Sequence, residues 1–121
     1  MRSTVTIAAC LAFVSLNASA SPTTSTNCKG SSNCKNLSVA SCDAAERTIV
    51  ASNTYGTNGA KGNTGVCNGN CGIFVQGSNC AYSGQDLINA YSTLRAAGCQ
   101  KCGSEVFDNG CEITINYVTG C

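Results

Sequence analysis

Cys111-Glu112-Ile113-Thr114-Ile115-Asn116-Tyr117-Val118, near the end of the chain, alternates apolar and polar side chains. Ile113, Ile115 and Tyr117 fall on one face and Thr114, Asn116 and Val118 on the other, the pattern of a half-buried β-strand. The stretch 107–110 before it ends in Asp108-Asn109-Gly110, residues that suit a turn. Further upstream, Ser83-Gly84-Gln85-Asp86 reads as a helix start with the acid three residues after the cap. Leu87, Ile88, Tyr91 and Leu94 then recur at helical spacing, and Gly98 fits the stop just past the end.

The same reading extends toward the start of the chain. Gly72–Gln76 is a short β-rich run, and 53–63 is rich in Gly and Asn and predicts a loop. A helical stripe begins near Ser38 with Val39, Cys42, Ala44 or Ala45, and Ile49, with Asp43 and Glu46 toward its N-terminal end. The polar stretch 21–27 predicts a frayed start. Two helices and at least two strands without an internal repeat predict an α+β fold.

Cysteine usage sets the compartment. Met1–Ala20 combines Arg2, an apolar stretch Val5–Leu16 and the small-residue site Ala18-Ser19-Ala20, which predicts a secretory signal peptide over 1–20 and a mature domain over 21–121. Cys10 leaves with that leader, so eleven cysteines become an even set. Dense, even thiols on a short exported chain read as a disulfide framework and place the protein outside the cell. Ten thiols allow about 945 pairings, so spacing alone leaves the connectivity open.

Composition excludes several classes. Without Arg2 the basic and acidic residues balance at six each, which argues against nucleic acid or an anionic membrane as partner. No segment is long and apolar enough to insert stably in a bilayer. The chain has no histidine, and Cys99-Gln100-Lys101-Cys102 stands without a second such pair, so no metal site or other cofactor is expected. That motif also follows a helix stop instead of opening a helix, so each of its cysteines is expected to bridge elsewhere. No serine lies in a nucleophile elbow, and nothing selects a pair among Asp43, Glu46, Asp86, Glu105, Asp108 and Glu112, so no catalytic residue and no enzyme activity are expected. Asn36-Leu37-Ser38 is a glycosylation acceptor pattern at Asn36.

Three blocks carry a family resemblance: Asn27-Cys28-Lys29-Gly30-Ser31-Ser32-Asn33-Cys34, Gly98-Cys99-Gln100-Lys101-Cys102-Gly103-Ser104, and Ile113–Val118 with terminal Cys121. Together they resemble the killer protein 4 family, small secreted toxins of a virus-carrying smut fungus and of filamentous fungi. The resemblance covers 27–34 and 66–121 and implies an α/β sandwich, an antiparallel sheet with helices on one face. It implies the bridges Cys28–Cys99, Cys34–Cys102 and Cys67–Cys121. A family cysteine in the second helix is matched by Ile88, whereas Cys71 and Cys111 are extra. One bridge lost and one gained gives Cys71–Cys111 between neighbouring strands, with Cys42–Cys80 as the fifth pair.

The resemblance further implies growth inhibition of competing fungal or plant cells by a monomer that interferes with a surface partner such as a calcium channel. A lysine on a rigid loop can present its ammonium to a cation pathway lined with carboxylates. The family lysine is matched here by Gly65, so Lys61 is the nearest substitute. Lys29, Lys101 and Lys35 would form a basic spot once the first two bridges close. The alternative is a secreted effector or cell-wall binding module that keeps the scaffold for a host or wall component.

Overall fold

A computed structural model describes residues 24–59 and 63–121. The expected signal peptide and Lys61 lie outside the described residues. Among the described residues the architecture is α+β, with antiparallel sheets, two α-helices and five disulfides. Strands β1 (Thr24–Asn27), β6 (Gly103–Phe107), β7 (Glu112–Tyr117), β4 (Cys71–Gln76) and β3 (Gly65–Asn68) lie in that order in one sheet. Every neighbouring pair in it is antiparallel. A two-stranded ribbon of β2 (Thr54–Gly56) and β5 (Ala81–Ser83) sits beside it.

Strand β7 is central, and its register explains the core. Ile115 lies opposite Ile73 and Ile113 opposite Val75, so one face of β4 and β7 is a block of branched side chains with at most 2 % exposure. Helix α1 (Val39–Glu46) contributes Cys42 and Ala45 to this block, and helix α2 (Gly84–Ala96) contributes Leu87, Ala90, Tyr91 and Leu94. On the other face, Ser104 and Thr114 share a buried 2.8 Å hydrogen bond, and Thr114 also donates to Gln76 Oε1 at 2.9 Å. A β-branched hydroxyl residue thus stays satisfied inside the polar face of the strand.

Helix α2 begins and ends where its sequence says it should. Ser83 Oγ accepts from the Asp86 backbone N–H, and Asp86 Oδ2 accepts from the Ser83 N–H, each at 3.1 Å. That reciprocal cap satisfies two N–H groups the helix cannot bond itself. A Cβ at Gly84 would sit 2.0 Å from the Val50 carbonyl oxygen, so only glycine lets α2 start against that turn. At the far end Cys99 N donates to Leu94 O and Gly98 N to Arg95 O, with Gly98 at φ +96°. This is a Schellman closure, and it requires the left-handed residue that glycine supplies.

Four expectations need correction. Residues 24–27 are an edge strand paired with β6, not a frayed start, because Cys28–Cys99 fastens the chain next to that strand and threonines tolerate an exposed edge. The 53–63 stretch is not all loop: Thr54–Gly56 pairs with β5, and Tyr55 is buried with its hydroxyl accepting from Val50 N at 3.1 Å. Val39, the first residue of α1, is 39 % exposed and does not join the core, whereas Cys42 and Ala45 of the stripe turn inward and Ile49, just past the helix end, is also buried.

The fourth correction concerns two bridges. Cys28–Cys99, Cys34–Cys102 and Cys67–Cys121 are present, but Cys42–Cys80 and Cys71–Cys111 are not; the pairs are Cys42–Cys71 and Cys80–Cys111. Antiparallel register is the reason. Cys71 faces Tyr117, whereas Cys111 lies beside Glu112, which faces Gln76. The two cysteines therefore stand at opposite ends of the ladder, roughly 20 Å apart at strand rise, far beyond the reach of a disulfide. Cys71 points with Ile73 and Val75 toward α1 and meets Cys42, and Cys111 meets Cys80 just past the end of β4.

Candidate functional site

A cleft lies between α2 and the far end of β1 and β6. Its volume is about 590 Å³, within the range of small-ligand sites. Helix α2 supplies Asp86, Asn89 and Thr93, three exposed positions on one helical stripe. Strand β6 supplies Glu105 and Phe107, two residues apart and so on the same face, while Thr24 lies across from Phe107 on β1. The Asp108-Asn109 turn closes one rim. Tyr82, the residue before the α2 cap, stacks on Phe107 with ring centroids 4.9 Å apart and planes 25° apart. Both rings are half-buried, giving the cleft an apolar floor within a polar wall.

Three carboxylates face this space, and among the described residues no lysine or arginine lines it. Burial pushes the Glu105 carboxyl above the ordinary carboxylate range, and the negative charge of Asp86 pushes it further the same way. The chain carries a formal net charge of only +1, yet this end of it is locally acidic. Amides, hydroxyls, carboxylates and an aromatic floor together can hold a polar ligand by hydrogen bonds and ring contact.

The residues expected from sequence lie elsewhere. Lys29 and Lys35 are exposed on the segment that the Cys28–Cys99 and Cys34–Cys102 bridges fasten to the end of α2. Lys101 is spent on structure: its Nζ donates to Leu37 O at 2.8 Å and Lys35 O at 3.2 Å, closing the carbonyl end of the 3-10 turn Ser32–Asn36. Asn36 is exposed at the end of that turn, and Ser38 of its acceptor pattern caps α1 through Ser41 N. Cys99 and Cys102 are each bridged to the N-terminal segment, so the C-x-x-C is not a redox pair. Among the described residues no three acidic or cysteine side chains form a group that could hold a metal ion.

Of the carboxylates the sequence left undistinguished, three converge and three do not. Asp86, Glu105 and Asp108 line the cleft, whereas Asp43 Oδ1 accepts from the Tyr91 hydroxyl at 2.5 Å between the two helices. That bond and burial, with burial the larger cause, raise the Tyr91 phenol to about 12, so it stays a donor at any physiological pH. Tyr82 had no sequence signal. The Asp86-Asn89-Thr93 stripe did have one, as polar residues at spacings of three and four on a helix otherwise read only for its apolar face.

Fold and site define a small, disulfide-stapled α+β protein with one acidic, aromatic-floored cleft. The chain belongs to the MU117 meiotically up-regulated gene family, whose model matches residues 26–121. No curated protein matches it in sequence.

Proposed function

We propose that the protein is a secreted, non-catalytic binding module for a cell-wall polysaccharide, engaged through the cleft between α2 and β6. The observation that carries this reading is the cleft's composition: a Tyr82–Phe107 floor bordered by Asn89, Thr93, Asn109 and carboxylates, with half-buried rings at its base. Apolar sugar faces pack on such rings while hydroxyls take the surrounding donors and acceptors. Five bridges and the absence, among the described residues, of a helix long and apolar enough to cross a membrane fit work outside the cell. The test is retention of the folded protein on insoluble wall polysaccharides. Saturable retention is expected, with at least tenfold loss in Asn89→Trp, an exposed position whose enlarged ring fills the cleft. Equal retention of that variant, with its circular dichroism unchanged, would refute the site.

A second reading follows from the killer protein 4 resemblance: growth inhibition of competing fungal or plant cells through a target-cell calcium channel. Exposed Lys29 and Lys35 on a segment held by two bridges favour it, because rigid lysines can enter a cation pathway at little entropic cost. Its measure is growth and calcium uptake of treated cells. Loss of inhibition in Lys29→Gln with Lys35→Gln would support it, and no inhibition by the unmodified protein across several targets would end it.

A further inference from the structure

Resting on the polysaccharide reading, we infer that the cleft selects a saccharide carrying free ammonium groups, a glucosamine oligomer, over its neutral N-acetylated counterpart. A neutral sugar needs only rings, amides and hydroxyls, and Tyr82, Phe107, Asn89 and Thr93 would serve it. Three carboxylates from three different elements are more than such a ligand uses. Asp86 comes from the first turn of α2, Glu105 from β6 and Asp108 from the following turn, so the fold brings together acids about twenty residues apart in sequence.

Their surroundings sharpen the argument. Among the described residues, those lining the cleft offer these acids hydroxyls, amides and aromatic rings but no basic partner. Burial raises the Glu105 carboxyl above its ordinary value, and repulsion from Asp86 across the cleft adds to that displacement. A ligand ammonium placed between them would relieve that repulsion and form charge-assisted hydrogen bonds. The half-buried aromatic pair adds a negative ring face or an apolar surface for the pyranose, a combination that suits a cationic sugar better than a bare inorganic cation. Acetylation removes the charge and adds bulk at the same nitrogen, so it should weaken binding twice over.

Calorimetric titration of the full mature protein with a glucosamine hexamer, an N-acetylglucosamine hexamer and a lysine hexapeptide decides the matter. The expected result is at least tenfold tighter binding of the glucosamine hexamer than of either alternative. Glu105→Gln and Asp108→Asn, checked for unchanged circular dichroism, should each remove most of that preference, bringing the ratio of the two hexamers' affinities toward one. Equal affinity for the two sugars would overturn the inference and leave the polysaccharide reading standing. Binding of neither sugar would overturn both. Tighter binding of the lysine peptide would also overturn it, by making the site a receptor for basic peptides.

Discussion

The β1–β6 ladder has two unlike ends. At the Asn27–Gly103 end, Cys28–Cys99 and Cys34–Cys102 cross it, Arg95 donates to the carbonyls of Cys99 and Lys101, and Lys101 donates to those of Leu37 and Lys35. At the Thr24–Phe107 end one aromatic stack and a turn border an open cleft. The sulphur and two of the cations are consumed in closing the first end. The second keeps polar groups facing solvent on a frame that the first end holds still. A bridged, closed end and an open cleft are separated along a single pair of strands, so the residues that look most distinctive in sequence serve structure.

Three changes would break or sharpen that contrast. The largest effect is expected from removing both bridges at the closed end, with Cys28, Cys34, Cys99 and Cys102 all changed to Ala. Cys28–Cys99 closes a loop with separation 71, worth about 4 kcal/mol in the chain-entropy model. With it in place the interleaved Cys34–Cys102 bridge closes only a short additional loop of roughly ten residues, worth about 2–3 kcal/mol. Their sum is comparable with the whole stability of a small domain, so the variant should be unfolded by circular dichroism at room temperature. Retention of a cooperative unfolding transition would show that packing alone suffices at this end.

Lys101→Met comes next. It keeps the aliphatic stem but removes the two hydrogen bonds to the 3-10 turn, at a cost of about 1 kcal/mol given partial solvent access. Denaturant midpoints should fall while polysaccharide retention is unchanged. A stable variant that loses cell growth inhibition would instead return Lys101 to the functional surface.

The smallest effect has the opposite sign. Because the folded state holds the Glu105 proton more tightly than the unfolded chain, stability from this group is present below the ordinary carboxylate range and is lost as pH rises through the raised value. Glu105→Gln removes that loss. The variant should gain on the wild type as pH rises toward neutrality and show no gain in acid, as read from thermal midpoints across that range. A gap that widens in acid would mean Glu105 is stabilised by a partner instead of strained by Asp86.

Much of the fold was legible because it follows from local rules. The period-two pattern at 112–118 located β7, the Ser83–Asp86 box and Gly98 located both ends of α2, and Ser38 marked the start of α1. What escaped was non-local. Thr24–Asn27 and Thr54–Gly56 have no apolar alternation and become strands only because β6 and β5 offer them edges. The exchanged partners of Cys42, Cys71, Cys80 and Cys111 depend on which end of β4 lies beside which end of β7. A strand's own residues do not encode that register.

The chain alone determined an oxidised, α+β framework, since dense cysteines, helix caps and strand alternation can be read directly along the sequence. Only the tertiary structure decided which acids matter. Asp86, Glu105 and Asp108 are ordinary solvated carboxylates until the antiparallel sheet sets β6 beside α2 and leaves the Tyr82–Phe107 floor between them. A cleft is made by elements distant in sequence, so its chemistry exists only after they have packed.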